Sequence, residues 1–329
     1  MDVPAPRRWA RRAAMVAAGT LVAASAVVAS AAPASATVTK VTNTTDTRCQ
    51  FLTYKTPTDW YFPTGTPTGL VWVQHGFSES KNDLEAFATD LAGAGALVVT
   101  TTLPTADMFG CTVENVGNNT LYLNNVADLF GKKNQNDKLM KSFNDAKGKA
   151  GRSSLTMPAN LALVGHSVGG EAVTYVANRL RTTYPSVFAQ LKGVVLEDPV
   201  PSFIGSNLAD GLNGLKSSTQ VPIFATASPA GSCNNDGDGI DTMTSILDNR
   251  SFHGAMVVTG RHTDVLGSSI SLLAELGCGA PDAADTAAVF GLSRGWIGGF
   301  FAGAADPSYF PGGTYWQSQA GAGLITALP

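Results

Sequence analysis

An α/β fold, with a mostly parallel central sheet and helices on both faces, is predicted by three observations. Short apolar runs of strand length recur between Gly69 and Thr259, stretches of helical period separate them, and turn residues mark the joins.

Each element is read in turn. Thr37 to Thr66 looks like antiparallel strands with turns, and Gly69 to Gln74 (GLVWVQ) is a buried strand. Asp83 to Ala92 reads as a helix, and Gly93 just past it suits a helix C-terminus. Ala96 to Thr102 is the next strand, followed by helices over Leu121 to Phe130 and Asp137 to Ala146. Leu161 to Val164 is a strand and Gly169 to Leu180 a helix. Leu191 to Leu196, Val221 to Ala225 and Ala255 to Thr259 are strands, with helices near Ser268 to Leu276 and Ala283 to Phe300. Ala106 to Asn119 and Ser202 to Ser218 are left as loops. Ligand sites in such sheets lie at the carboxyl ends of the strands, and that rule sorts the candidate residues.

Of 329 residues, 44% are hydrophobic and only 14% charged, which excludes a disordered or fibrous chain and is ample for a sizeable core. Arg7, Arg8, Arg11 and Arg12 precede an apolar run from Ala13 to Ala32 and the small-residue signal Ala34-Ser35-Ala36. Residues 1–36 are therefore expected to be a secretory signal peptide and 37–329 a single catalytic domain, secreted and extracellular. Cleavage would leave 18 basic and 24 acidic residues, a net charge of −6, which does not favour nucleic acid or anionic lipid. No later run approaches the roughly 20 apolar residues of a membrane span, so no stable membrane anchor is expected, and the chain is read as a monomer. Four cysteines, Cys49, Cys111, Cys233 and Cys278, suggest two disulfides in an exported chain. Three connectivities are possible; pairing of sequence neighbours is preferred. The absence of C-x-x-C argues against zinc.

Gly165-His166-Ser167-Val168-Gly169 fits G-x-S-x-G. Alone the pattern is weak. Here an apolar strand runs directly into it and a helical pattern directly out of it, which is the strand–sharp turn–helix of the nucleophile elbow in the α/β-hydrolase fold. Ser167 is the candidate nucleophile. An earlier strand ends in His75-Gly76-Phe77, where that fold draws one oxyanion donor; the backbone N–H groups of Phe77 and Val168 are the candidate pair. His75 is read as a hydrogen-bonded loop residue.

The base must come from four histidines. His75 and His166 flank the oxyanion loop and the nucleophile. His253 and His262 bracket a strand and would stand about 30 Å apart if extended, so only His262 falls at the carboxyl rim. For the acid, Asp198 sits one residue past an apolar strand, held by Pro199, whereas Asp236 lies in the polar stretch Cys233-Asn234-Asn235-Asp236-Gly237-Asp238-Gly239. A rigid loop orients an imidazole better than a mobile one, so Asp198 is preferred to Asp236. Glu197 is read as a neighbouring surface carboxylate. Asn234, Asp236 and Asp238 resemble the start of a calcium loop, but Ser245 replaces the bidentate Glu at position twelve; no metal is expected.

At these residues the chain resembles the chlorophyllase-like branch of the α/β-hydrolases, through GHSVGG (Gly165 to Gly170), EDPV (Glu197 to Val200) and GRHTDVLG (Gly260 to Gly267). The resemblance spans roughly Gly69 to Phe301 and implies a triad of Ser167, Asp198 and His262. Val168 stands where plant chlorophyllases carry Arg, so chlorophyll is not carried over as a substrate. The chain also looks like bacterial secreted lipases and polyester hydrolases, which share Gly-His-Ser-x-Gly-Gly and take the acid after the following strand, in the Asp236 region.

The expectation is a secreted serine esterase or lipase working through an acyl-enzyme, with no cofactor, on small-molecule, lipid or polymer esters. Phe77, Met108, Phe109 and Phe203 are candidates for an apolar acyl pocket. The alternatives are an acyltransferase or an amide or thioester hydrolase with the same triad, and a catalytically inactive hydrolase-like binding protein.

Overall fold

Alternate residues of the strands feed opposite cores. Trp60, Phe62, Trp72 and Leu163 pack on one side of the sheet, and Tyr61, Val71, Val73, Ala162 and Val164 on the other. A strand with both faces covered is largely apolar, and LVWVQ, LVVTT and LALVGH are buried end to end. A computed structural model describes residues 37–132 and 137–329; the reading of residues 1–36 as a signal peptide lies outside the described residues.

The elements run β1 (Thr39–Cys49), β2 (Leu52–Phe62), β3 (Leu70–Gln74), α1 (Glu85–Gly93), β4 (Leu97–Thr101), α2 (Thr120–Gly131), α3 (Lys138–Lys149), β5 (Leu161–His166), α4 (Val168–Thr183), α5 (Pro185–Phe188), β6 (Leu191–Glu197), α6 (Asn207–Leu215), β7 (Ile223–Ala227), α7 (Asp238–Ile246), β8 (Gly254–Val257), α8 (Leu272–Cys278), α9 (Ala283–Ala302), α10 (Thr314–Gly321) and β9 (Ile325–Ala327). The sheet order is β1-β2-β4-β3-β5-β6-β7-β8-β9, parallel from β4 through β8, with antiparallel additions at both edges. Helices α2 to α7 cover one face, and α1, α9 and α10 the other. The fold class read from the sequence is the one observed.

Two features depart from the expectation. Part of the stretch left as a loop after β6 forms α6, whose Gly211 and Gly214 lie against Thr174 and Asn178 of α4 with no room for a Cβ. The acidic stretch closes into a short 3-10 turn and then α7. The antiparallel strands expected over Thr37 to Thr66 form one long hairpin turning at Gln50-Phe51, with the buried threonines Thr45, Thr47, Thr56 and Thr58 bonded in cross-strand pairs. Because β2 meets β4 only from Thr58 to Tyr61, the hairpin tip projects beyond the carboxyl edge of the parallel strands. The disulfide Cys49–Cys111 ties it to the loop after β4, and Cys233–Cys278 ties α8 to the turn after β7. Among the described residues, no helix is long and apolar enough to cross a membrane.

Candidate active site

The site is assembled from turns that follow β3, β5, β6 and β8, each leaving the carboxyl rim. The sharpest is at Ser167, with φ 56° and ψ −129°, between the end of β5 and the start of α4. A non-glycine residue there stores strain of about 1–3 kcal/mol, which persists only where the surroundings over-determine it. The surroundings do so through the glycines of the motif. A Cβ on Gly165 would meet the Gly169 carbonyl at 2.2 Å, and one on Gly169 the Gln74 carbonyl at 2.4 Å. Only glycine lets the turn close this tightly against β3.

The β3 loop presses on the same turn. A Cβ on Gly76 would lie 2.7 Å from Ser167 Cβ, so the backbone leading into Phe77 passes directly beside Ser167. Glu79 fixes this loop: its Oε2 accepts from Gly76 N at 2.8 Å and from His166 Nδ1 at 3.0 Å. The other ring nitrogen of His166, Nε2, faces the His262 carbonyl at 2.8 Å. A carboxylate and a carbonyl are both acceptors, so this setting favours a proton on each ring nitrogen. Burial works against that charge, but the Glu79 carboxylate outweighs it and raises the His166 pKa. Burial likewise opposes ionisation of Glu79, and His166 outweighs it in turn, lowering the carboxyl pKa. This ion pair links the loop after β3, the Ser167 turn and the backbone of His262. Further out, the buried Asp59 of β2 accepts from Lys81 Nζ at 2.8 Å, fastening the same loop to the sheet.

His262 follows β8 and stands beside His166, with ring centroids 4.6 Å apart. Its Nδ1 donates to Asp198 Oδ2 at 2.8 Å. Asp198, with φ 46°, also accepts from Ser228 N (3.1 Å), Ser228 Oγ (2.5 Å) and Asn234 Nδ2 (3.3 Å). The His262 turn is closed by Asp264, which accepts from Arg261 N at 2.6 Å; burial pushes the Asp264 pKa up to about 6. An open cleft of about 260 Å³ runs beside His262, lined in part by Ser228, Pro229, Arg261 and the Cys233–Cys278 bridge.

The sequence candidates thus fall as follows. Ser167, Phe77, Val168, Asp198 and His262 each follow a strand at the carboxyl rim; of these, His262 is hydrogen-bonded to Asp198, and Gly76, next to Phe77, packs on Ser167. Asp236 and Asp238 are exposed on the turn after β7, and it is their neighbour Asn234 that reaches Asp198. Asn234 uses both ends of its amide inside the protein, Nδ2 as above and Oδ1 accepting from Gly231 N, so the calcium-loop reading loses its first ligand. Among the described residues no cluster of three metal-ligating side chains is present. His253 lies at the start of β8, bonded to the carbonyls of Leu247 and Pro329. His75 is buried, with Nδ1 donating to Gly76 O and Nε2 unpartnered; burial lowers its pKa.

Two expectations are corrected. Glu197 is not a surface carboxylate: it is fully buried, accepts from Ser293 Oγ and Thr226 Oγ1, and burial raises its pKa to about 7. Met108, Phe109 and Phe203 do not wall a pocket; they stand 92%, 76% and 90% exposed. Glu79 was not singled out in the sequence. Its only signal is a carboxylate three residues past Gly76 in a loop that must face a histidine 87 residues away.

No family model and no curated protein matches the chain. Solved structures do. One, from a study of two fungal esterases of Rhizomucor miehei, has a TM-score of 0.51 and 12% identity, covering 81% of this chain and 85% of its own. Another, a candidate dienelactone hydrolase of Klebsiella pneumoniae, has a TM-score of 0.40 and 15% identity, covering 68% and 85%. The chain has the α/β-hydrolase fold.

Proposed function

We propose that the chain is a serine carboxylic-ester hydrolase with Ser167 as nucleophile, His262 as base and Asp198 as the acid that orients it. The observation that carries this reading is the Asp198–His262 hydrogen bond, with the His262 ring 4.6 Å from that of His166, the residue before a serine held at positive φ. With Nδ1–H engaged by Asp198, Nε2 of His262 is the acceptor needed for general-base work. Ser167 Oγ bonds to the ester carbonyl carbon as its proton passes to Nε2. The carbonyl oxygen becomes an oxyanion facing the N–H groups of Phe77 and Val168, at the positive end of α4. The carbon–alkoxy bond then breaks, and the alcohol leaves with the proton from His262. Water attacks the acyl-enzyme through the same base, releasing the acid and restoring Ser167.

Two disulfides suit an oxidising compartment, which supports the secreted reading. Ser167→Ala should lower turnover of a soluble nitrophenyl ester by about four to six orders of magnitude with folding intact. Retained turnover in that variant would remove Ser167 from the mechanism.

A further inference from the structure

We infer that the carboxyl rim carries a docking face for the surface of an undissolved, neutral ester, resting on the hydrolase reading above. Its elements are the hairpin tip and the loops after β4 and β6. Six apolar side chains project from them: Phe51 and Leu52 from the tip, Met108 and Phe109 from the β4 loop, Phe203 and Ile204 from the β6 loop. Phe51 is 97% exposed. Isolated exposed apolar residues are ordinary, but a set held together is a mark of an interaction surface.

The contacts between these segments show that they are held together. Gln50 Nε2 donates to Phe109 O at 2.7 Å, next to the Cys49–Cys111 bridge. Phe203 N donates to Glu114 Oε1 at 3.1 Å and Asn115 N to Ser202 Oγ at 2.8 Å. Ser202 in turn donates through N and Oγ to the buried Glu171, in the first turn of α4. The loops therefore meet over the N-terminal end of the helix that Ser167 opens. An apolar surface resting on them lies against the approach to the nucleophile.

The charges define the partner. Residues 49–54, 103–119 and 200–206 contain no Lys or Arg, and the cations flanking the tip are engaged, Arg48 by the Gln50 carbonyl and Lys55 by Asp46. Their two carboxylates are spent on backbone donors, Asp107 on Phe109 N and Cys111 N, and Glu114 on Phe203 N. Nothing in these segments matches a phosphate headgroup or an anionic polymer. A neutral ester phase fits. Holding exposed aromatics in place beforehand lowers the ordering cost of adsorption.

The test separates docking from chemistry. The hairpin-tip variant Phe51→Ser/Leu52→Ser alters two side chains outside the catalytic machinery. On a soluble nitrophenyl ester it should match wild type within twofold. On a tributyrin emulsion, where wild-type turnover should climb once the ester passes its solubility limit, it should fall at least tenfold. In parallel, Ser167→Ala protein should float with the droplets on centrifugation, and Ser167→Ala/Phe51→Ser/Leu52→Ser should remain in the aqueous phase. The docking face is overturned if the tip variant keeps its emulsion turnover and flotation. It is overturned equally if vesicles of anionic phospholipid bind the protein better than neutral droplets, or if sedimentation shows the tip variant dissociating a wild-type dimer. If wild type hydrolyses neither ester yet floats in a tip-dependent way, the docking face stands and the hydrolase reading fails.

Discussion

Two histidine–carboxylate pairs lie side by side at the rim, and they are built differently. In His166–Glu79 the imidazole is fully buried, and both of its ring nitrogens are bound to protein acceptors. His262–Asp198 retains slight exposure, and among the hydrogen bonds of the described residues the His262 ring makes one, through Nδ1. The first pair leaves no ring nitrogen open to a nucleophile or substrate, so it can brace but not serve as the base. The second is fixed at one end and available at the other. Local sequence does not distinguish them, since each histidine sits beside a residue of a plausible motif; the count of satisfied ring nitrogens does.

The sharpest way to break this comparison is to delete each ring in turn. His262→Ala should lower kcat by about four to six orders of magnitude while leaving the melting temperature nearly unchanged. Asp198→Asn should cost about 10⁴-fold by holding the wrong tautomer, whereas Asp236→Asn should stay within a few-fold; steady-state kinetics on one soluble ester checks both. Equal losses at 198 and 236 would dissolve the assignment of the acid.

Glu79→Ala should behave as a bracing mutation. Removing one partner of a buried pair costs about 3–5 kcal/mol of stability, measurable by denaturant unfolding, with kcat reduced much less than in His262→Ala. The pH dependence carries a sign. The lowered Glu79 pKa gives stability that is present at neutral pH and lost as pH falls through the carboxylate range. The raised His166 pKa gives stability complete below its ordinary value of 6.5 and lost as pH climbs through the elevated one. Glu197 acts in the opposite sense to Glu79. With its pKa raised from 4.5 to about 7, its contribution is complete below 4.5 and is lost as pH rises towards 7. Glu197→Gln should flatten that part of the stability–pH curve, by at most about 3 kcal/mol.

What was legible in the sequence follows from the range of the forces involved. Strand and helix alternation is written in local periodicity, so the sheet and most helix positions were readable from Gly69 onward. The glycines around Ser167 are demanded by contacts within a few residues and with β3, and the motif preserves them. Helix α6 was not legible because Gly211 and Gly214 depress local propensity; they are there because α4 leaves no space for a Cβ. Glu79 and Glu197 were missed for the same kind of reason. Their partners, His166 for one and Ser293 and Thr226 for the other, lie 29 to 96 residues away. Exposure of Met108, Phe109 and Phe203 was misread because an apolar side chain in a loop looks alike whether it lines a pocket or stands on a rim.

The central claim is that Ser167 alone is activated by the available histidine. Treating the intact protein with a fluorophosphonate and mapping the adduct by peptide mass spectrometry tests it directly. The account predicts one adduct per chain, on the peptide carrying Ser167, formed in step with loss of ester turnover and absent in His262→Ala. A stoichiometric adduct on another residue, or full turnover in protein labelled at Ser167, would contradict it.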